Sequence, residues 1–141
     1  MSKLFDITGK VVVMTGGTGV LGRCITAYLA EQGAKVAVLG RKAEVGNKIV
    51  EGIRAKGGEA IFLQGDVLNR ESLEQNLADV LKAFGRVDVL LNAAGGNMPG
   101  ATIAPDGTFF DLKVEDFQRV QDLNLTGTLL PTQVFLKPMV E

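Results

Sequence analysis

Short apolar runs alternate along the chain with longer segments whose apolar residues recur every three or four positions. The runs, at residues 11–15, 36–39, 60–63 and 87–91, predict strands, and the unbroken apolarity of the first predicts a strand buried on both faces of a sheet. The segments between them predict amphipathic helices. The resulting order, β-α-β-α-β-α-β, indicates an α/β fold with a parallel sheet.

The first predicted helix carries apolar residues at helical spacing and ends before Gly33. Those apolar positions are Val20, Leu21, Cys24, Ile25, Tyr28 and Leu29. The spacing predicts that Cys24 belongs to the hydrophobic core. A last helix is predicted to begin near Val114, to continue past Leu125 and to be disturbed at Pro131, because proline lacks the N–H that a helix interior uses.

The connections between the strands are short, so consecutive elements should pack beside one another with right-handed crossovers. They predict a doubly wound parallel sheet with strand order 3-2-1-4 and helices on both faces. A chain of 141 residues fits one hydrophobic core, so residues 1–141 are predicted to form a single domain.

Composition excludes several classes of site and partner, mainly through the residue types that the chain lacks. With 15 basic and 16 acidic residues the net charge is −1, which gives no support for a nucleic-acid partner or an anionic membrane surface. One cysteine and no histidine exclude an internal disulfide, multi-cysteine metal sites and histidine-dependent nucleophiles. No apolar run approaches the ~20 residues that span a bilayer, and residues 1–10 do not resemble a secretion signal. The expectation is a cytoplasmic protein without a bound metal.

The loop after the first predicted strand is rich in glycine. Thr15-Gly16-Gly17-Thr18-Gly19-Val20-Leu21-Gly22 contains a G-x-G-x-x-G pattern between a predicted strand and a predicted helix. Because such a turn has few Cβ atoms, a pyrophosphate can approach the free N–H groups and partial positive charge at the helix start. The loop therefore predicts a dinucleotide site; the alternative is a structural turn without a ligand.

The end of the second predicted strand bears on which dinucleotide is bound. NAD sites usually place a carboxylate there to hold the ribose hydroxyls, whereas this chain has Gly40, Arg41 and Lys42. A guanidinium can bind a 2′-phosphate through two hydrogen bonds, so NADP(H) is predicted to be preferred, with NAD(H) as the alternative. The other interpretation of Arg41 is a solvated residue at the start of a helix.

Four motifs occur in an order and spacing that resemble the short-chain dehydrogenase/reductase family. They are Thr15-Gly16-x-x-x-x-x-Gly22, Gly65-Asp66-Val67, Leu91-Asn92-Ala93-Ala94-Gly95 and Asp122-Leu123-Asn124-Leu125-Thr126-Gly127. The resemblance covers almost the whole chain. It implies a Rossmann-type fold, NAD(P)(H) as cofactor, and hydride transfer to or from a carbonyl or alcohol carbon of a small polar substrate.

The resemblance also implies roles for individual residues. The implied cofactor contacts are Gly16, Thr18, Gly19, Val20, Leu21, Gly22, Arg41, Asp66, Val67, Asn92, Ala93, Ala94 and Gly95. Among them, Asp66 would meet the adenine amino group, Asn92 would stabilise the fourth strand, and the backbone of residues 93–95 would lie against the ribose. Asn124 matches the active-site asparagine, whose backbone carbonyl positions a water in a proton relay. The alternatives are a turn or cap role for Asp66, a purely structural Asn92 and an Asn124 without catalytic duty.

Two departures from the usual pattern concern the branches of the family. The middle glycine of the loop is Gly19 rather than residue 20, as in the extended, epimerase-like branch, and Ala93 replaces the second asparagine of N-N-A-G. Residues 84–95 and 110–127 instead resemble the compact oxidoreductases. Within those, residues 16–22, 94–97 and 123–131 are similar to a D-mannonate oxidoreductase-like branch, which implies a sugar-acid substrate.

The general acid/base of the family is a tyrosine followed four residues later by a lysine, which lowers the pKa of the phenol. The only tyrosine, Tyr28, is followed at that distance by Gln32 and does not match. The domain is therefore expected to be incomplete at its carboxyl end, to bind cofactor weakly and not to turn over alone. The resemblance implies a homodimer or homotetramer. Two other interpretations are a non-catalytic nucleotide-binding or scaffold protein and an extended-branch nucleotide-sugar epimerase.

Overall fold

A sheet of four parallel strands forms the centre of the structure, a computed structural model that describes residues 3–141. The strands are β1 (Val11–Thr15), β2 (Lys35–Gly40), β3 (Glu59–Gln64) and β4 (Val89–Asn92). They are hydrogen-bonded in the order β3-β2-β1-β4, which confirms the predicted fold class and strand order. Every residue of β1 is buried, as its unbroken apolar run predicts.

Helices connect and cover these strands. They are α1 (Val20–Glu31), α2 (Ala43–Ala55), α3 (Arg70–Phe84), α4 (Val114–Gln121) and α5 (Gly127–Val140), with 3₁₀ turns at Lys3–Phe5, Pro99–Ala101 and Phe109–Asp111. Local signals define the ends of α3: Asn69 caps its start by accepting a hydrogen bond from Ser72 N–H, and Gly85 ends it with a φ of +78°. Within residues 3–141, no helix has the length and apolar character that a bilayer crossing requires.

The sheet separates two hydrophobic layers. On one face, Ala30 of α1 and Val50 of α2 join a cluster with residues of β1 and β2. On the other face, Leu73 of α3 and Phe135 of α5 pack against the alternate residues of the same strands. Because the strands are parallel, the loops that follow all four of them leave from one edge of the sheet, where the sequence motifs are brought together.

The prediction for the buried face of α1 is wrong. Its buried residues are Gly22, Thr26 and Ala30, whereas Cys24 is exposed and does not belong to the core. Val20, Leu21, Ile25 and Tyr28 are all exposed, and of the predicted large apolar residues only Leu29 packs partly against the core. The reason is the close approach of α1 to the glycine turn, which admits only small side chains, since a Cβ on Gly22 would overlap the carbonyl oxygen of Gly16.

The disturbance predicted at Pro131 occurs earlier in the chain. Between α4 and α5 the helix widens into a π segment, Asp122–Thr126, and Pro131 lies within α5. Asn124 Nδ2 donates to the carbonyl of Val120, and Thr128 Oγ1 donates to the carbonyl of Asn124. Side-chain donors thus serve backbone carbonyls where the regular helical bonding is interrupted.

A largely buried carboxylate joins β1 to the start of β4 at the amino-terminal edge of the sheet. Asp88 Oδ2 accepts a hydrogen bond from Val11 N–H at 2.8 Å. Asp88 Oδ1 pairs with Arg86 and, at 4.0 Å, with Lys10, and the Asp88 side chain is only 9% exposed. Burial raises the pKa of Asp88, but the hydrogen bond and the two cations outweigh it, so the pKa lies below its ordinary value.

Asp88→Asn is expected to lower the free energy of unfolding by about 1–3 kcal/mol at neutral pH and to flatten its decline in acid. Because the folded-state pKa is lowered, the carboxylate stabilises the fold above its unfolded-state pKa of about 4, and this contribution is lost as the pH falls through the folded-state value. Urea denaturation across the acid range measures both effects. Asp106→Asn, at an exposed loop carboxylate, is the control. A curve for Asp88→Asn that parallels wild type at every pH would show that Asp88 has no such role.

Candidate functional site

The carboxyl ends of the strands border a cavity of about 390 Å³ beside the point where the strand order reverses between β1 and β4. Most of the predicted residues line it: Gly16, Thr18, Gly19, Arg41, Asp66, Val67, Ala93, Ala94 and Gly95. The other predicted residues, Val20, Leu21, Gly22, Asn92 and Asn124, are not part of the lining. Residues that were not predicted also line the cavity, namely Leu39, Gly40, Gly65, Leu68, Met98, Arg119, Asp122 and Leu123.

The turn between β1 and α1 brings bare backbone to this cavity. Gly16 has a φ of +65°, and a Cβ there would lie 2.5 Å from the carbonyl oxygen of Ala93. The turn is closed by Gly19 N–H, which donates to Gly16 O at 3.0 Å. α1 then begins at Val20 without a side-chain cap, so the N–H groups of its first turn are available to an anion. This arrangement has the shape and polarity that a diphosphate group requires.

A buried hydroxyl holds the end of β4 beside the glycine turn. Thr15 Oγ1 accepts hydrogen bonds from Ala93 N–H and Ala94 N–H, both at 3.1 Å, and Thr15 is fully buried. The bonds fix the backbone at 93–94, which forms one wall of the cavity. The sequence shows Thr15 only as the first residue of the glycine-rich motif. The structure shows that its hydroxyl group also clamps the end of β4 to the end of β1.

Asp66 and Val67 follow β3 at another wall of the cavity. Asp66 Oδ1 accepts a hydrogen bond from Leu68 N–H at 2.9 Å, which is the local turn role considered from the sequence. The residue is nevertheless exposed and part of the cavity lining, while Val67 is buried beside it. The turn therefore presents the Asp66 carboxylate at a fixed place on the wall.

The end of β2 carries a cation at the cavity and no carboxylate. Arg41 is exposed and lines the cavity, directly after Gly40. A Cβ at Gly40 would lie 2.5 Å from Thr18 Oγ1, so the Thr18 side chain occupies the space that a side chain at residue 40 would need. Arg23 lies elsewhere, in a second groove of about 480 Å³ between α1 and α2.

Asn92 and Asn124 make structural contacts next to the cavity. Asn92 Nδ2 donates to Thr132 Oγ1 at 3.0 Å, which ties β4 to α5. Asn124 Nδ2 donates to Gly96 O at 2.8 Å, and Gly96 N–H donates back to Asn124 Oδ1 at 3.3 Å. The Asn124 side chain therefore holds the loop after β4, while its backbone carbonyl accepts Thr128 Oγ1 at 2.9 Å.

The cavity residues that sequence reasoning missed have two origins. Gly40 and Gly65 adjoin predicted residues at strand ends, and Asp122 belongs to the motif that contains Asn124, so closer attention to those neighbours could have found them. Met98 and Arg119 meet the cavity because the irregular loop after β4 folds back onto α4. No spacing in the sequence signals this return.

Comparisons with known proteins agree with the geometry. Residues 10–141 match the short chain dehydrogenase family. An uncharacterized oxidoreductase, UxuB, from Bacillus subtilis is 43% identical over 96% of this chain and 52% of its own length. The 3-oxoacyl-[acyl-carrier-protein] reductase of Synechocystis is 36% identical over 96% of this chain and 52% of its own length.

Solved structures give the same result. A protein from Haemophilus influenza, provisionally named a D-mannonate oxidoreductase and holding NAD, matches with a TM-score of 0.88 and 34% identity over 95% of this chain and 51% of that chain. An NAD⁺-bound xylitol dehydrogenase matches with a TM-score of 0.85 and 31% identity over 96% of this chain and 50% of its own.

The chain therefore belongs to the short-chain dehydrogenase family, a family of NAD(P)-binding oxidoreductases. It spans about half the length of the relatives that it matches.

Proposed function

We propose that this chain forms the cofactor-binding part of an NAD(P)-dependent oxidoreductase. The observation that carries the proposal is the bare turn at Gly16–Gly19, which faces the uncapped start of α1 at the carboxyl edge of a parallel sheet. When bound, the nicotinamide supplies or accepts the hydride. The residues of this chain hold the diphosphate at the turn, the adenine at Asp66 and Val67, and the ribose against the backbone at 93–95.

The relatives are about twice as long as this chain. The complete reaction is therefore proposed only for a protein of their full length. The acid/base tyrosine of the family has no counterpart here, because Tyr28 lies on the outer side of α1, 60% exposed, and is followed by Gln32 rather than by a lysine four residues on. Asn124 is proposed to act through its backbone carbonyl, which can accept a second hydrogen bond beside that from Thr128. The 141 residues alone are proposed to bind cofactor without turnover.

The proposed substrate is a small polyhydroxylated molecule such as a sugar acid. Support comes from two structural neighbours whose names specify D-mannonate and xylitol, both of which carry several hydroxyl groups. The loop after β4, which contributes Met98 to the cavity, is the proposed substrate-side wall.

Self-association is proposed as well, because α4 and α5 expose the apolar side chains of Phe117, Leu129 and Leu136.

NADP(H) is the proposed preferred cofactor, and Arg41→Asp is expected to reverse that preference. An arginine on the cavity wall can pair with a 2′-phosphate, whereas a carboxylate repels the phosphate and can hold ribose hydroxyls. A charge-assisted pair of this kind corresponds to about tenfold in affinity. Nuclear magnetic resonance titration of the ¹⁵N-labelled chain with NADPH and NADH measures both dissociation constants, even in the millimolar range.

Arg23→Asp is the matched control, since it makes the same charge change in the groove between α1 and α2. An unaltered ratio of the two affinities in Arg41→Asp would remove Arg41 from this role. Equal affinities in the wild-type chain would contradict the proposed preference, and tighter binding of NADH would favour NAD(H), the dinucleotide held by the Haemophilus neighbour. If the wild-type chain bound neither dinucleotide, the proposed cofactor site itself would be wrong.

A further inference from the structure

A buried amide lies beneath the end of β3, on the wall of the cavity that is proposed to hold adenine. Asn76, in α3, is only 3% exposed, and its Nδ2 group donates to the carbonyl of Gln64 at 3.1 Å. Its Oδ1 atom is buried without a hydrogen-bond partner, the one buried side-chain polar atom in this state among the residues that the structure describes.

The same side chain touches the next residue along the strand end. A Cβ on Gly65 would overlap Asn76 Oδ1 and would lie 3.0 Å from Ser72 Oγ, so the Asn76 amide lies directly against the Gly65 backbone. Gly65 N–H donates to Gly40 O at 3.1 Å, which ends the pairing of β3 with β2. Asn76 therefore contacts two consecutive residues, Gln64 and Gly65, immediately before Asp66.

Packing alone does not account for an amide at this position. The neighbouring inward residues of α3 are apolar, Leu73 and Val80 being fully buried in the same layer. An unpartnered buried oxygen costs folding free energy that a leucine of similar size would not. Buried polar groups that are costly to the fold are candidates for a functional role.

We propose that Asn76 is a positioning residue for the adenine end of the cofactor. It holds the Gln64 carbonyl and the Gly65 backbone, and thereby places Asp66 and Val67 on the cavity wall. The inference rests on the proposed cofactor function. It separates from a purely structural role through one contrast: removing the amide should weaken binding of the adenine end of the cofactor and leave binding of the nicotinamide end unchanged.

The test uses the ¹⁵N-labelled 141-residue chain, AMP and nicotinamide mononucleotide, with urea denaturation of each variant. Asn76→Leu is expected to weaken AMP binding about fivefold or more, and to leave nicotinamide mononucleotide within about twofold of wild type. Its denaturation midpoint is expected to change little, because the lost Nδ2 hydrogen bond to Gln64 O and the removal of the unpartnered Oδ1 atom offset each other. Asn76→Ala, which removes both amide atoms and adds no bulk, should also weaken AMP binding, and it replaces the leucine variant if that chain does not fold. Asn47→Leu, at an exposed asparagine of α2, is the control.

The outcomes distinguish the inference from the proposal beneath it. If the wild-type chain binds AMP and both Asn76 variants keep that affinity, Asn76 is only structural and the inference is overturned while the cofactor site stands. A lowered midpoint with equal losses for AMP and nicotinamide mononucleotide would overturn it too, because general destabilisation would explain both. Absence of AMP binding by the wild-type chain would overturn the inference and the proposed function together.

Discussion

Gly22→Ala is expected to abolish dinucleotide binding and to lower the free energy of unfolding by about 1–3 kcal/mol. The added Cβ would overlap the carbonyl oxygen of Gly16 and would lie 2.8 Å from the Cα of Gly17. Both are backbone atoms, so no flexible side chain can move aside. The start of α1 must separate from the glycine turn, and the N–H groups of its first turn then lose their alignment with the proposed diphosphate site.

Gly52→Ala is the matched control for this substitution. Gly52 is also a helical glycine, in α2, but a Cβ there would meet no atom within 4 Å. Alanine is favoured over glycine inside a helix, so this variant is expected to gain about 0.5–1 kcal/mol. Urea denaturation and NADPH titration of both variants provide the comparison. Wild-type affinity in Gly22→Ala would show that the close contact between α1 and the turn is not needed for binding.

The strands and their order could be predicted from the sequence because their signals are local. Each strand is an apolar run, each of the first three helices ends near a glycine, and short parallel connections allow few topologies. About half of the cavity lining was predictable for the same reason, since the residues after parallel strands meet at one edge. Arg41, Asp66 and Ala93 come together in this way although they are distant in the chain.

The buried face of a helix could not be predicted from apolar spacing alone. In α1 the distance to the turn decides burial, so small residues such as Gly22 and Thr26 face inward while Leu21 and Tyr28 remain exposed. Cys24 was assigned to the core by its spacing and is instead exposed. How closely two elements pack depends on their shapes in the folded chain, so the spacing of apolar residues along one helix does not predict it.

The residues that α4 and the preceding loop add to the cavity were also beyond prediction. The loop returns to α4 through single contacts: Lys113 N–H donates to Gly100 O at 2.8 Å, and Gly100 lacks a Cβ where the Asp116 side chain lies. Such contacts have no repeating pattern in the sequence. Arg119 therefore reaches the cavity wall by a route that only the folded chain defines.

Thr15→Val is expected to disorder the wall of the cavity at the end of β4 and to weaken dinucleotide binding about tenfold or more. Valine matches the shape of threonine but lacks Oγ1, which accepts hydrogen bonds from Ala93 N–H and Ala94 N–H in a fully buried position. Two backbone donors would lose their partner, at a cost of about 1–3 kcal/mol in stability. Hydrogen exchange at residues 93 and 94, followed by nuclear magnetic resonance, should accelerate in the variant.

Thr15→Ser tests the contribution of the hydroxyl group separately from that of the methyl group. Serine keeps the acceptor and loses only the methyl group, so its exchange rates at 93 and 94 and its NADPH affinity should stay near wild type, although the small cavity left by the methyl lowers stability slightly. If serine and valine weakened binding equally, packing of the methyl group rather than the hydrogen bonds would hold β4 against the glycine turn. The clamp extends the β1–β4 pairing by two residues, from Asn92 to Ala94, at the place where Gly16 leaves no room for a Cβ beside Ala93.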